Sequence, residues 1–241
     1  ISSQILDLVC ILAYGMKSMK AIVVGSGIVG ASVAYHLAEQ GAEVTIVTGD
    51  SYGGIATRAS FAWINAAAGH PKAYFEFRLK AISDWHRLQR ELKGFTGWNW
   101  NGSLWWEEEM TSLDDKVQEL ISWGYPLRII SQSDARNQEP GLLKHPSRSI
   151  HAELEGTVPA DQLTRLLLDR AEQFGAVIRH ETVLGLESTI GKIKGVRTSS
   201  GIIFSDEVII AAGVASSALL STVGVKLPMS NSDGLLAYSA P

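Results

Sequence analysis

The chain has 241 residues, of which 46% are hydrophobic and 19% charged, and its formal net charge is -4. That length is enough for one large or two modest domains, and the mildly acidic balance without a Lys/Arg cluster excludes a basic surface for nucleic acid or an anionic membrane. The single cysteine, Cys10, excludes an internal disulfide and a cysteine-based metal site, so we expect no bound metal and a reducing, cytoplasmic location.

Residues 1–15 do not predict a targeting or membrane-spanning segment. Their apolar stretch, residues 5–13, is short, contains Asp7 and has no basic residue before it. A signal peptide needs a basic region and a small-residue cleavage site, and a spanning helix needs about 20 apolar residues. We therefore treat residues 1–15 as extraneous to the folded protein and expect no transmembrane segment.

Residues 20–50 predict a strand, a glycine-rich turn, a helix and a second strand. The apolar run 21–24 is typical of a buried parallel strand, and the run 44–47 predicts another. Between them a helical pattern runs from residue 28 to residue 40, and Gly41 ends it. This order is that of a dinucleotide-binding βαβ unit.

Three glycines between the first strand and the helix have the G-x-G-x-x-G spacing: Gly25, Gly27 and Gly30. The first permits a tight turn, the second lets backbone approach a pyrophosphate, and the third lets the helix pack on the strand. Ile28 and Val29 open the helix, whose first turn offers unpaired N–H groups and a partial positive charge to phosphates. We predict that these five residues bind a dinucleotide.

The end of the second strand lacks the expected acidic residue. About 20 residues into the motif, dinucleotide-binding proteins place a carboxylate that holds the ribose hydroxyls. Thr48 occupies that place, and the nearest carboxylate is Asp50. Asp50 reaches the ribose if the loop bends inward, and the alternative is a solvated turn residue. Because no arginine follows directly, nothing favours a 2′-phosphate.

Residues 51–70 predict a loop that runs close to a bound ligand, because they are rich in glycine and alanine. Arg58 is a candidate contact to a phosphate of that ligand, and Ala59 and Ser60 follow it. The alternative for Arg58 is an ordinary surface arginine. Residues 61–64 alternate large apolar with smaller residues and predict a short strand.

Residues 71–150 lack the strand–helix alternation of the preceding part. Their apolar spacing predicts a long amphipathic helix over 71–92, a helix over 113–123 and a strand over 127–130. Ser133 is the expected N-cap of a further short helix. This region therefore predicts an inserted part of mixed α+β structure.

Four tryptophans stand close together in this inserted region: Trp98, Trp100, Trp105 and Trp106. Such a cluster can stack a ligand, but aromatic side chains more often build a core. We expect these four to form part of a sheet core.

The alternation of helices and strands returns after Pro159. The pattern predicts a helix that Gly175 ends, then strands over 176–179 and 182–187, and a hairpin at Gly191 and Gly195. A buried strand over 208–212 follows, with Gly213 as the turn into a helix from about Ser216. We expect these strands to lie beside the first two in one parallel sheet.

These motifs, in this order, resemble the D-amino-acid oxidase-like FAD-dependent oxidoreductases. That group includes glycine oxidases, sarcosine oxidases and D-amino-acid dehydrogenases. The resemblance covers Lys20 to roughly Gly234 and rests on GSGIVGASVAYHLAEQGAEVTIV, the GG…TRAS…WINA loop, EPGL, VPADQL, Val183 and DEVIIAAG.

The resemblance implies that FAD binds in an extended pose. The glycine motif meets the pyrophosphate, and residues 58–60 lie along the pyrophosphate and the flavin. Val183 pairs with adenine through its backbone, and Ala211, Ala212 and Gly213 pass close to the cofactor. The implied reaction removes a hydride from the carbon that bears an amine.

The sequence departs from the family pattern at three places. Thr48 replaces the usual acidic residue, and Ala215 stands where a tryptophan is common. Family members also continue beyond the position of Pro241, with the rest of the substrate domain and a glycine-containing segment that closes on the flavin. Neither Cys10 nor His70 lies in a covalent-attachment motif, so we expect non-covalent FAD.

The sequence therefore predicts an α/β protein with an FAD-type Rossmann parallel sheet and an inserted mixed α+β substrate-side region. We expect residues 16–70 and 155–224 to form the FAD-binding domain, and residues 71–154 and 225–241 part of the substrate domain. The predicted activity is oxidation of a small amine or amino acid by hydride transfer to flavin, with no catalytic acid or base assigned. The alternatives are a non-catalytic nucleotide-binding remnant and a nicotinamide-dependent dehydrogenase.

Overall fold

The structure is a computed structural model that describes residues 19–49, 52–67, 71–106 and 110–229. Several residues considered above lie outside these ranges, among them Cys10, Asp50 and His70. The strands are β1 (Lys20–Val24), β2 (Glu43–Thr48), β3 (Trp63–Ile64), β4 (Ser103–Trp105), β5 (Leu127–Ser131), β6 (Arg148–Ala152), β7 (Gly156–Thr157), β8 (Val177–His180), β9 (Val183–Thr189), β10 (Lys192–Thr198), β11 (Gly201–Phe204) and β12 (Glu207–Ile210). The helices are α1 (Ile28–Glu39), α2 (Ile55–Arg58), α3 (Lys72–Glu91), α4 (Met110–Ser122), α5 (Gln132–Gln138), α6 (Ala160–Gln173) and α7 (Ser216–Ser221), with a 3-10 turn at Gly213–Ala215.

The chain divides into two compact units. The first combines Ile1–Ser60 with Ala160–Pro241, and the second is Phe61–Pro159. The boundaries expected from the sequence, at residues 70 and 155, differ from these because β3 pairs with β7. That pairing assigns the residues on both sides of the insertion to the second unit.

Four strands of the first unit form a parallel sheet in the order β12-β1-β2-β8. The apolar residues of β1 are at most 4% exposed, as expected for a central parallel strand covered on both faces. Val24 at the end of β1 is in register with Val47 of β2 and Ile210 of β12. The turns after these three strands therefore lie at one edge, the carboxyl edge where α/β sheets bind ligands.

Strands β9, β10 and β11 form a separate antiparallel sheet. The expectation that all later strands join the parallel sheet is therefore wrong, and only β8 and β12 do so. The hairpin turn lies at Ile190 and Gly191, whereas Gly195 lies inside β10 next to a register shift. A Cβ on Gly195 would lie 2.0 Å from the carbonyl oxygen of Ile203, so a close approach of strands explains this glycine.

A hydrophobic cluster joins the two sheets of the first unit. Its buried members are Ile22, Val24, Val47, Leu186, Val196 and Leu219. Val183 and Ala212 pack against the same cluster. This packing places the start of β9 and the turn after β12 near the carboxyl ends of β1 and β2.

The second unit contains an antiparallel sheet in the order β4-β6-β5 and the short pair β3-β7. Val117 of α4 packs on Ile150 of β6, with Trp105 and Leu127 beside them. Phe75 of α3 makes an edge-on contact with Tyr125, at 5.4 Å between ring centroids. The inserted region therefore has its own core.

The four tryptophans of this unit have different environments, so the prediction that they share a sheet core is only partly right. Trp105 lies in β4 and joins the sheet core. Trp98 packs edge-on against Trp85 and Phe95, and Trp100 stacks on His86 at 4.0 Å. Trp106 is 41% exposed.

The N-cap of α5 is Ser131, so the assignment of Ser133 is wrong. The Ser131 hydroxyl accepts a hydrogen bond from the Asp134 amide at 3.2 Å, and the Asp134 carboxylate accepts the Ser131 amide. This reciprocal pair is a capping box. The two hydrogen bonds fix the helix start two residues earlier than the sequence indicated.

Candidate functional site

The glycine motif is in backbone contact with the turn that follows β12. Gly25 has a φ of 107°, which only glycine adopts without strain. A Cβ on Gly25 would lie 2.4 Å from the carbonyl oxygen of Ala211, and a Cβ on Gly30 would lie 2.0 Å from that of Gly25. Because these two residues have no Cβ, the glycine turn after β1 can pack directly on α1 and on the turn after β12.

The second glycine of the motif meets a loop that the sequence did not connect with it. A Cβ on Gly54 would lie 2.7 Å from the Cα of Gly27. In the same loop, the Thr57 hydroxyl accepts a hydrogen bond from the Ile28 amide at 3.1 Å. The loop before Arg58 therefore lies on the start of α1, and Thr57 satisfies one of its unpaired amides. No local pattern in the sequence indicates this role of Thr57.

The start of α1 retains features that suit an anionic ligand. Within the described ranges, the amides of Val29 and Gly30 have no acceptor. The Val29 side chain is 65% exposed, and Val214, which follows the turn after β12, is 69% exposed. A bound dinucleotide would cover this apolar surface and accept the free N–H groups.

Thr48 faces the interior and is bonded to the glycine motif. It is 5% exposed, and its hydroxyl lies 2.8 Å from that of Ser26, the second residue of the motif. The Ser26 hydroxyl also accepts the Gly53 amide at 3.0 Å. These bonds tie the end of β2 to the loop that follows it. Asp50, the alternative ribose contact, lies outside the described residues.

Arg58 lines a cavity of about 350 Å³ together with Tyr52, Gly53, Asp161 and Arg165. The Arg58 Nε donates to the carbonyl oxygen of Gly54 at 3.2 Å, and among the described residues neither arginine forms an ion pair.

Burial, with the charges of Asp169 and Glu172, raises the pKa of Tyr52, while the charge of Arg165 lowers it. The two guanidinium groups suit a phosphate or another anion, although the Asp161 carboxylate lines the same cavity. The sequence did not single out Arg165, which looks like a surface residue of α6.

The remaining predicted contacts occupy the same unit. Ala59 and Ser60 follow α2 and are exposed. Val183 opens β9 and is half-buried, as are Ala211 and Ala212, whereas Gly213 is exposed. The carboxyl edge of the parallel sheet thus gathers Gly25, Gly27, Gly30 and the residues 211–213.

The described residues contain neither a metal-binding cluster nor a membrane-spanning helix. Over the described ranges, no group of three or more His, Cys, Asp or Glu side chains is arranged to hold a metal ion. None of the helices in those ranges is long and apolar enough to cross a membrane.

The comparison with protein families identifies the cofactor. The FAD dependent oxidoreductase family matches residues 20–238. The chain belongs to this family. Its cofactor is FAD, which decides against the nicotinamide-dependent alternative.

Three relatives illustrate the similarity. The chain is 27% identical to a glycine oxidase of Bacillus licheniformis over 214 residues, which cover 87% of this chain and 58% of the relative. The crystal structure of glycine oxidase from Bacillus cereus ATCC 14579 superimposes with a TM-score of 0.76 at 26% identity, covering 84% of this chain and 57% of that one. Iminodiacetate oxidase from Chelativorans sp. BNC1 gives a TM-score of 0.77 at 26% identity, covering 86% and 59%. The chain thus spans less than two thirds of the length of each relative.

The described residues fit FAD. The glycine turn brings backbone to within contact distance of the turn after β12, and it leaves the Val29 and Gly30 amides available. An extended dinucleotide needs both features, a narrow backbone cradle and N–H donors for the pyrophosphate.

Proposed function

We propose that this chain supplies the FAD-binding part, and a portion of the substrate side, of an enzyme that oxidises an amine or amino acid. The backbone contact of Gly25 with Ala211 at the carboxyl edge of the sheet supports this proposal most strongly. The names of the relatives, glycine oxidase and iminodiacetate oxidase, support an amino acid or a secondary amine as substrate.

Each part of the site has a role in this proposal. The glycine motif and the start of α1 bind the pyrophosphate, with Ile28 already held by Thr57. Residues 58–60 lie along the pyrophosphate and flavin, and the Val183 backbone pairs with adenine. Ala211, Ala212 and Gly213 border the cofactor on the other side of the turn.

The proposed reaction removes two electrons from the substrate. When bound, FAD supplies the acceptor for the hydride that leaves the amine-bearing carbon. The substrate nitrogen loses a proton, and water hydrolyses the resulting imine. The chain's own residues orient the dinucleotide and exclude water, and none of the described residues is assigned as acid or base.

The test is the visible absorption spectrum of the purified chain, before and after FAD is added and the excess removed. We expect retained flavin bands, and an equal excess of NADH is not expected to displace the FAD. Anaerobic addition of glycine, other amino acids and secondary amines should then bleach the bands for one class of substrate. A chain that stays colourless at saturating FAD contradicts the proposal and favours a nucleotide-binding remnant.

A further inference from the structure

Glu155 is a fully buried carboxylate in the second unit, with 0% exposure. No ion pair of the described residues includes it, and it instead accepts five hydrogen bonds from neutral donors. Its Oε1 accepts the Ala66 amide at 3.2 Å, the Ala67 amide at 3.1 Å and the Tyr125 hydroxyl at 2.8 Å. Its Oε2 accepts the Trp63 indole N–H at 2.9 Å and the Ser103 hydroxyl.

Three of these five donors belong to one segment, residues 63–67. Strand β3 pairs Trp63 with Thr157 and Ile64 with Gly156, and Glu155 is the next residue along the partner strand. Beyond the end of the backbone pairing, the Glu155 side chain accepts hydrogen bonds from the amides of Ala66 and Ala67. The carboxylate therefore continues the strand pairing beyond its end.

Arg78 of α3 binds the opposite polar groups of the same segment. Its Nε donates to the carbonyl oxygen of Asn65 at 2.9 Å, and a second guanidinium nitrogen donates to the Asn65 side-chain oxygen. Glu155 thus accepts three N–H groups of residues 63–67, and Arg78 donates to two oxygens of Asn65. Glu155 and Arg78 together therefore bind both hydrogen-bond donors and hydrogen-bond acceptors of this segment.

Ala62, directly before this segment, has a φ of 50°. A residue with a Cβ pays roughly 1 kcal/mol or more for this left-handed conformation, which persists only where the surroundings impose it. Ala62 is the second residue after Ser60, the end of the predicted cofactor loop. The strain shows that the chain is constrained where it leaves that loop.

A buried carboxylate is costly, and a well-packed apolar side chain of similar volume is often at least as stabilising. Stability alone therefore does not explain Glu155. Its bonds determine the path of residues 63–67, which is the property an apolar side chain would lose.

We propose that Glu155 is a positioning residue for the cofactor loop. Thr57 fixes one end of residues 58–60 by its bond to Ile28. By holding residues 63–67, Glu155 fixes the chain at the other end. The path of the chain is then fixed directly before and directly after the loop, and this role rests on the proposed function.

The test compares E155Q with S103A in the full chain. The glutamine keeps the volume of Glu155 but directs an N–H group at a neighbouring donor. S103A removes one donor to the same carboxylate and no bond of residues 63–67, so it is the matched control. Three quantities are measured for each variant: the urea midpoint, amide hydrogen exchange of peptides over residues 61–67 and over β6, and the dissociation constant for FAD.

We expect both variants to lose stability, but only E155Q to accelerate exchange in residues 61–67 and weaken FAD binding, each by about tenfold. If Glu155 has only a structural role, E155Q should raise exchange equally in the peptides over residues 61–67 and over β6. The two variants should then have the same dissociation constant for FAD. Unchanged exchange over residues 61–67 in E155Q overturns the inference. If the wild-type chain binds no FAD, the proposed function fails, and exchange alone decides whether Glu155 holds the segment.

Discussion

The hydroxyl oxygens of Ser26 and Thr48 lie 2.8 Å apart, at the place where dinucleotide-binding sheets usually carry a carboxylate. The pair is buried, and Ser26 also accepts the Gly53 amide. The end of β2 is therefore linked to the glycine motif by neutral hydrogen bonds. A carboxylate at residue 48 would have to be buried beside Ser26, so the threonine suits its surroundings.

Removing the Ser26 hydroxyl is expected to destabilise the first unit. S26A leaves the buried Gly53 amide without its acceptor, which costs about 1–3 kcal/mol of unfolding free energy. Urea denaturation measures this loss. T48S is the control, because it retains a hydroxyl beside Ser26 and should lose markedly less. Equal stability of S26A and wild type would contradict the assigned bond.

Alanine at two glycines of the motif should separate binding from folding. G27A places its Cβ 3.2 Å from the Thr57 hydroxyl, a contact that a small shift relieves, whereas G30A places it 2.0 Å from a backbone oxygen. We expect G27A to fold and to bind FAD about tenfold more weakly, which is about 1.4 kcal/mol. G30A should lose roughly 1–3 kcal/mol of stability through overpacking.

Urea midpoints and FAD titrations distinguish these two outcomes. G141A is the neutral control, because Gly141 is exposed and a Cβ there would meet nothing within 4 Å. If G27A bound FAD as well as G141A does, the assignment of the pyrophosphate to this turn would be untenable.

Arg165 is expected to contribute to anion binding from α6. It lines the same cavity as Arg58 and Asp161. R165A should raise the dissociation constant for FAD by about tenfold, as loss of a hydrogen bond to a charged group does. R170A, on the same helix, removes a guanidinium that bonds to Gln173 and should leave FAD binding unchanged. Identical affinities for the two variants would remove Arg165 from the site.

The stability of the chain at alkaline pH should depend on Tyr125. Burial, then the charge of Glu155 and the hydrogen bond to it, raise the pKa of Tyr125. Its neutral phenol therefore contributes stability that is complete below the ordinary tyrosine pKa of about 10 and is lost as the pH rises above it. Y125F should lose less unfolding free energy than wild type between about pH 9 and 11. Parallel pH profiles for the two proteins would argue against this coupling.

The features that the sequence predicted are those set by neighbouring residues. Strand β1, the three glycines and α1 follow from an apolar run, a spacing and a helical period within about 20 residues. The separate sheet of β9, β10 and β11 was not predicted, because apolar strands do not reveal which neighbours they pair with. The bond of Thr57 to Ile28 spans 29 positions and that of Trp63 to Glu155 spans 92, so neither leaves a local pattern.

The position of β12 beside β1 has a consequence for how the protein is made. The Lys20 amide donates to the Asp206 carboxylate 186 positions later, so a growing chain carries β1 long before its neighbour is synthesised. The second unit is contiguous and is complete once residue 159 has emerged. We therefore expect the second unit to fold first during translation. One edge of the apolar strand β1 stays unpaired during that time and can bind chaperones or aggregate.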